Sequence, residues 1–233
     1  MCGRFTLTES DRDVLAERLG VSVAALGDYR PRYNIAPLQD HFVVATEYES
    51  HKIVPAKWGL VPRWAKDNSR AGQSINAKAE TVEVKPIFGE AFLRRRCVVP
   101  ADGFFEWTGA KATRQPFWIR RRDGELLLFA GLYEAWQPKP GKSETTFTIL
   151  TCAANSTIAP IHTRMPVILS GRDADDWMNP RETEQLSLKR FLVPAPDGQL
   201  VMQPASPLVN SVTNDGPELL VGSTRNRQLM FRF

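Results

Sequence analysis

The sequence predicts an α+β fold: a β-rich chain with a curled, barrel-like sheet and peripheral helices. Three observations carry this. Segments rich in β-branched, aromatic and leucine residues, bounded by Gly, Pro or Asp, recur along the chain. Seventeen prolines in 233 residues imply many loops. Helical signals are confined to a few short capped stretches. No Ser/Gly linker, low-complexity tract or internal repeat divides the chain, so a single domain is expected over residues 1–233.

The elements follow in order. Thr8 or Ser10 is placed to cap a helix carrying Val14, Leu15, Arg18 and Leu19, with Gly20 stopping it. His41–Tyr48 reads as a strand, and Cys97-Val98-Val99 as a packed strand segment. In Phe104-Phe105-Glu106-Trp107, period-2 alternation sets Glu106 on the face opposite Phe105 and Trp107. Pro116–Arg121 and Glu125–Leu132 read as strands, and Asp123-Gly124 between them is a hairpin signal, since that dipeptide tolerates positive φ. Thr145–Cys152 is a further strand. Ser170 caps a short acidic turn, Asp173 to Trp177, and Arg181–Phe191 reads as a helix.

Composition sets the broad class. The chain is 42% hydrophobic and 24% charged, and no apolar run approaches the roughly 18–20 residues that cross a bilayer. Asp11, Arg12, Asp13 and Glu17 interrupt the start where the apolar core of a secretory signal would sit. The three cysteines, Cys2, Cys97 and Cys152, have no metal-ligand spacing and cannot all pair, which fits a reducing, cytoplasmic address. The three histidines are scattered, so no metal is expected. No Gly-rich phosphate loop is present, so no cofactor is expected either. A net charge of +4, clustered at Arg94-Arg95-Arg96, Arg120-Arg121-Arg122 and Arg30 with Arg32, reads either as solvated faces or as a nucleic-acid surface.

Four stretches bring unusual polar residues into apolar surroundings. The first is Met1-Cys2-Gly3-Arg4. With Met1 removed, Cys2 carries a thiol and an α-amine on adjacent carbons. That pair can condense with an aldehyde to an imine and close a thiazolidine, or act as a nucleophile with its own amine as base. A small buried cysteine in an N-terminal strand is the third reading. The second stretch is Asn76-Ala77-Lys78-Ala79-Glu80-Thr81, where Asn76 both donates and accepts and Lys78 is a point charge suited to phosphate. The third holds Glu106, whose carboxyl is suited to acid–base work if its face looks inward. The fourth, His162-Thr163-Arg164-Met165-Pro166, places a histidine at the start of an apolar strand, where proton transfer near neutrality is available. Six tryptophans are present, two of them in Trp58-Gly59-Leu60-Val61-Pro62-Arg63-Trp64; core packing is the default for each, and one near a basic rim can stack on a nucleobase.

Together with Asn34-Ile35-Ala36-Pro37 and the run Arg96 to Trp107, these segments resemble, in order and over most of the chain, the SRAP family (SOS-response-associated peptidase, or abasic-site processing protein). The resemblance implies a β-rich SRAP fold and covalent capture of abasic sites in single-stranded DNA. It implies Cys2 as the crosslinking nucleophile and Asn76 as the residue orienting the amine or sugar. Glu106 would hold the opened sugar and assist proton transfer, and His162 would promote ring opening. Arg4, Asn34, Trp64, Lys78 and Arg164 become the candidates for DNA contact. A monomer suffices for this chemistry, no membrane is involved, and in a bacterium the nucleoid would be the working location. Lyase and self-cleaving peptidase activities also follow from the resemblance.

Two positions depart from the family pattern. Lys78 stands where Arg is usual, which keeps the charge and removes bidentate geometry. Thr163 stands where many members carry Asp beside the histidine. Two rival readings remain: a cysteine peptidase using Cys2, His162 and Glu106 or Asn76, and a non-catalytic single-strand binding module.

Overall fold

The computed structural model describes residues 2–48, 50–110, 114–139 and 141–222. Its strands are β1 (Phe5–Leu7), β2 (Arg32–Ile35), β3 (Asp40–Glu47), β4 (Ser50–Trp58), β5 (Asn76–Lys78), β6 (Arg96–Ala101) and β7 (Gly103–Thr108). They continue with β8 (Gln115–Arg121), β9 (Leu127–Lys139), β10 (Lys142–Ala153), β11 (Arg164–Pro166), β12 (Ile168–Leu169) and β13 (Leu200–Pro204). The helices are short: α1 (Arg12–Leu19), α2 (Gly89–Arg94), α3 (Gly171–Met178) and α4 (Gln185–Lys189). None among the described residues is long and apolar enough to cross a membrane.

The α+β expectation holds, and the curl is a closed barrel. Strands β10, β4, β3, β6 and β9 pair in that order, and β9 returns to pair with β10. Closure leaves the five-stranded ring without free edges. The β10–β4 contact is parallel and the others are antiparallel. Short strands β5 and β11 attach to the end of β10, and β12 to β9. A second, antiparallel sheet runs β13-β8-β7-β1-β2.

Aromatic side chains join the two sheets. Phe5 of β1 meets Trp58 of β4 edge-on with ring centroids 5.1 Å apart, and Phe104 of β7 meets Phe129 of β9 at 5.9 Å. All four rings are fully buried. Each such burial contributes roughly 1.5–3 kcal/mol. The same contacts fix where the N-terminal residues enter the molecule.

Several elements differ from their sequence-based expectation. Helix α1 is capped by Asp11, whose Oδ1 accepts from the backbone N–H of Asp13 and Val14 at 3.0 and 3.2 Å. Thr8 cannot serve because its hydroxyl donates to Asp102 at 2.5 Å. Gly20 does stop the helix, at φ +64°. Ser170 caps α3 as expected. The helix expected over 181–191 shrinks to Gln185–Lys189.

Asp123-Gly124 does not close a hairpin. Its flanking strands, β8 and β9, belong to different sheets, and the turn carries the chain between them. Asp123 instead ion-pairs Arg121 at 2.5 Å, which draws the turn back onto the strand it leaves. Cys97 and Cys152 are buried packing residues with free thiols. Within the arginine runs Arg96 is structural: it is 3% exposed and donates to the carbonyls of Phe92, Leu93, Trp177, Asn179 and Glu182.

Candidate active site

The end of β10 organises one half of the site. Strand β5 runs parallel to it, with Asn76 opposite Ile149 and Lys78 opposite Thr151. Alternation sends Ala77 into the core and leaves Asn76 and Lys78 on the outer face. On the other side β11 is antiparallel, with Arg164 opposite Ala153, so His162 arrives just before that pairing.

The other half comes from the second sheet. Phe5 of β1 pairs with Phe104 of β7, and the Phe105 N–H donates to the Arg4 carbonyl at 3.0 Å. Glu106 shares the face of β7 with Phe104, toward the barrel, while Phe105 packs against a separate cluster with Ala205, Val209 and Leu219. The inward-facing reading of Glu106 is therefore the one realised: it is 3% exposed.

Cys2 lies where these halves meet and is fully buried. Its carbonyl accepts from Asn76 Nδ2 at 2.8 Å. Its Sγ lies 3.8 Å from the Arg4 carbonyl. Burial, and then the negative charge of Glu106, push the thiol well above its ordinary pKa.

Beside Cys2 opens a polar cleft of about 500 Å³, lined by Gly3, Arg4, Glu106, Trp107, Arg114 and His162 together with Gly109 and Asn210. Gly109, at φ +91°, turns the chain away at the end of β7. Burial pulls the Arg4 guanidinium below its usual pKa, yet it stays cationic. The Arg164 N–H donates to His162 Nδ1 at 2.9 Å, which makes the neutral ring an Nε2–H tautomer. The Arg164 carbonyl, 3.1 Å from the same Nδ1, is the acceptor for the protonated ring. Thr163 beside it is exposed.

A second cleft, of about 800 Å³, is lined by Asn76, Trp64, Lys66, Arg70, Lys78 and Lys85 among others. Trp64 is 68% exposed, an unusual state for an indole and one suited to a stacking platform.

Of the expected site residues, Cys2, Asn76, Glu106 and His162 converge, with Arg4 in the first cleft and Trp64 and Lys78 in the second. Asn34 and Arg164 line neither cleft. Asn34 is fully buried, and its amide donates to the carbonyls of Val209, Ser211 and Asn214 at 3.3, 2.9 and 2.9 Å. As a DNA contact it is corrected to a positioning residue, because a buried amide with its donors engaged has none to offer. Arg164 forms a two-pronged ion pair with Glu80, at 2.5 and 2.9 Å, and lowers that carboxylate's pKa. Its guanidinium also donates to the Thr151 carbonyl at 2.5 Å, so it ties β11 to β10 and β5. Sequence reasoning missed Arg114 and Asn210. No local pattern marks either; Asn210 reaches the cleft only through a contact with Trp107, 103 residues earlier.

The chain is similar to known proteins along most of its length. The chain is 37% identical over 221 residues to abasic site processing protein YoqW of Bacillus subtilis, covering 94% of this chain and 99% of that protein. It is 30% identical to abasic site processing protein YedK of Escherichia coli, at 94% and 99% coverage. Against abasic site processing protein HMCES of Gallus gallus the identity is 31%, over 84% of this chain and 67% of that protein. A crystal structure of a Bacteroides thetaiotaomicron protein shares the fold with a TM-score of 0.83 at 24% identity, covering 95% of this chain and all of that one. The family model for SRAP, SOS response associated peptidase, matches residues 1–212. With Cys2, Asn76, Glu106 and His162 gathered at one point and this match across nearly the whole chain, the protein belongs to the SRAP family.

Proposed function

We propose that this protein captures abasic sites in single-stranded DNA by covalent attachment to Cys2. The observation that carries the reading is the convergence on Cys2: Asn76 grips its carbonyl at 2.8 Å, and Glu106 and His162 line the adjoining cleft. The names of the relatives, abasic site processing proteins, support it.

An abasic deoxyribose equilibrates with a ring-opened aldehyde, and His162 is placed to move the proton that opening requires. With Met1 removed, the α-amine, whose reference pKa is about 7.7–8.0, is partly neutral at cellular pH and adds to the aldehyde carbon. Loss of water from the carbinolamine gives the imine; Glu106 or His162 supplies the proton that leaves with the hydroxyl. The thiol then adds to the imine carbon, its proton passing to nitrogen, and the five-membered thiazolidine closes. Elimination of the 3′ phosphate from the imine is the competing lyase route, which ring closure suppresses.

The burial of the thiol supports this order of events. A peptidase acting on other proteins needs the thiolate first, and both burial and Glu106 oppose it. Capture uses the amine first and the thiol second. Peptidase activity is then limited to release of Met1 from the chain's own start. Lys78 and Arg4 hold the backbone, Trp64 stacks on a neighbouring base, and sequence preference is weak because an abasic site offers no base to read.

The test is incubation of Met1-free protein with a single-stranded oligonucleotide carrying one abasic site, followed by a denaturing gel. A denaturant-resistant band that Cys2→Ala and a retained extra N-terminal residue both abolish is expected. No band, with loss of Met1 verified by mass, overturns the proposal.

A further inference from the structure

Several arginines in this protein are neutralised by carboxylates: Arg32 by Asp215, Arg95 by Glu134, Arg121 by Asp123, Arg164 by Glu80 and Arg190 by Asp176. The Glu106 cleft differs. Arg4 and Arg114 both line it, and neither makes an ion pair among the described residues. Arg4 spends one N–H on the Gly3 carbonyl at 3.3 Å, and its buried Nε has no partner. The single carboxylate lining the cleft, Glu106, is buried.

Asn210 adds a donor of fixed orientation. The Trp107 indole N–H donates to Asn210 Oδ1 at 2.8 Å. An indole nitrogen only donates, so the amide oxygen must face Trp107 and the two amide N–H groups remain for another acceptor. The backbone on either side of Asn210 is held, because the buried Asn34 amide donates to the carbonyls of Val209 and Ser211. The rim therefore offers two guanidinium groups and an oriented amide, which suits an anion with several acceptor oxygens.

We infer that Arg114 and Asn210 join Arg4 in a clamp for one phosphodiester adjoining the abasic sugar. The inference rests on the capture reading and adds to it two residues that fix which stretch of backbone lies across the Glu106 cleft. A backbone held in this cleft, with Trp64 and Lys78 in the other, pins the sugar over Cys2.

The test uses full-length protein and a single-stranded oligonucleotide bearing one tetrahydrofuran abasic analogue, which cannot open to an aldehyde. Phosphates around the analogue are replaced singly by neutral methylphosphonate and dissociation constants are compared. At one phosphate beside the analogue, replacement is expected to weaken wild-type binding roughly tenfold. Arg114→Ala should weaken binding to the all-phosphate strand by a similar factor, lose no more at that position, and lower the salt slope by about one. Asn210→Asp, which keeps the Trp107 acceptor and removes the N–H donors, should also bind more weakly with an unchanged melting temperature. Wild-type affinity in Arg114→Ala, or losses that multiply at every phosphate, would overturn the clamp. Adduct formation with a true abasic site is measured alongside. An adduct with a silent Arg114→Ala defeats only the clamp, whereas no Cys2-dependent adduct defeats the reading beneath it.

Discussion

At the scale of single residues, side chains that touch Cys2 differ from side chains that hold the surrounding fold still. Asn76 is of the first kind: its Nδ2 donates to the Cys2 carbonyl, and its buried Oδ1 accepts no hydrogen bond among the described residues. Asn76→Asp removes the donor and is expected to slow adduct formation at least about fivefold, the worth of one hydrogen bond of ~1 kcal/mol, in a single-turnover assay. Arg96 is of the second kind. Arg96→Leu strands several carbonyls and is expected to cost about 3 kcal/mol or more in urea denaturation, while DNA affinity of the folded fraction stays unchanged. The residues legible in the sequence were those whose chemistry is odd for their surroundings, such as a cysteine at position 2 or a glutamate between aromatics. Arg96 stood in a basic run and read equally as nucleic-acid surface. Only its burial against five carbonyls separates the two, and burial is a property of the tertiary fold. Arg114 and Asn210 were illegible for the converse reason, since each is an ordinary exposed polar residue until the fold sets it beside Arg4 or Trp107.

At the scale of elements, the N-terminal strand is the part on which the proposed capture depends, and Asp102 is its anchor. Its carboxylate accepts from the Thr6 hydroxyl, and from the N–H and hydroxyl of Thr8, both at 2.5 Å. Asp102→Ala is expected to cost about 1–3 kcal/mol in thermal or urea unfolding and to slow adduct formation as β1 loosens. Normal crosslinking in a measurably destabilised Asp102→Ala would separate the anchor from the site. Gly103 shows the same tight join: a Cβ there would lie 2.1 Å from Trp118 Nε1, so alanine would force the Trp118 indole out of its place. Individual strands rich in β-branched and aromatic residues, β3, β8 and β10, were legible within a few residues. Strand β4 was not, because Ser50–Trp58 carries His51, Lys52, Pro55 and Lys57 and is half exposed along most of its length. The Asp123-Gly124 turn was legible as a turn but not as a crossing between sheets, since turn chemistry is local and the choice of partner strand is not.

At the scale of the whole molecule, the closed barrel and the smaller sheet form one core, and the site sits on the seam between them. His41 is packed in that seam, edge-on to Phe5 at 5.1 Å and stacked on Phe42 at 4.7 Å. Burial, helped by the charge of Arg32, pushes its pKa from 6.5 down to about 3. Between those values the unfolded chain takes up a proton that the folded ring refuses. Stability should therefore be full above about pH 6.5 and fall as pH drops toward 3, by at most ~1.4 kcal/mol per unit from this group. Urea melts at pH 7.5 and 4.5 should show a smaller loss in His41→Leu than in wild type. The central claim, that the amine and thiol of Cys2 act together on one aldehyde, is tested most directly by digesting the isolated adduct with trypsin and nuclease, treating it with iodoacetamide, and sequencing it by mass spectrometry. The expected product is the N-terminal peptide carrying the sugar remnant on Cys2, at a mass lower by one water than its two parts and refractory to alkylation. A remnant on Lys78 or another lysine, or an alkylated thiol on Cys2, would contradict it.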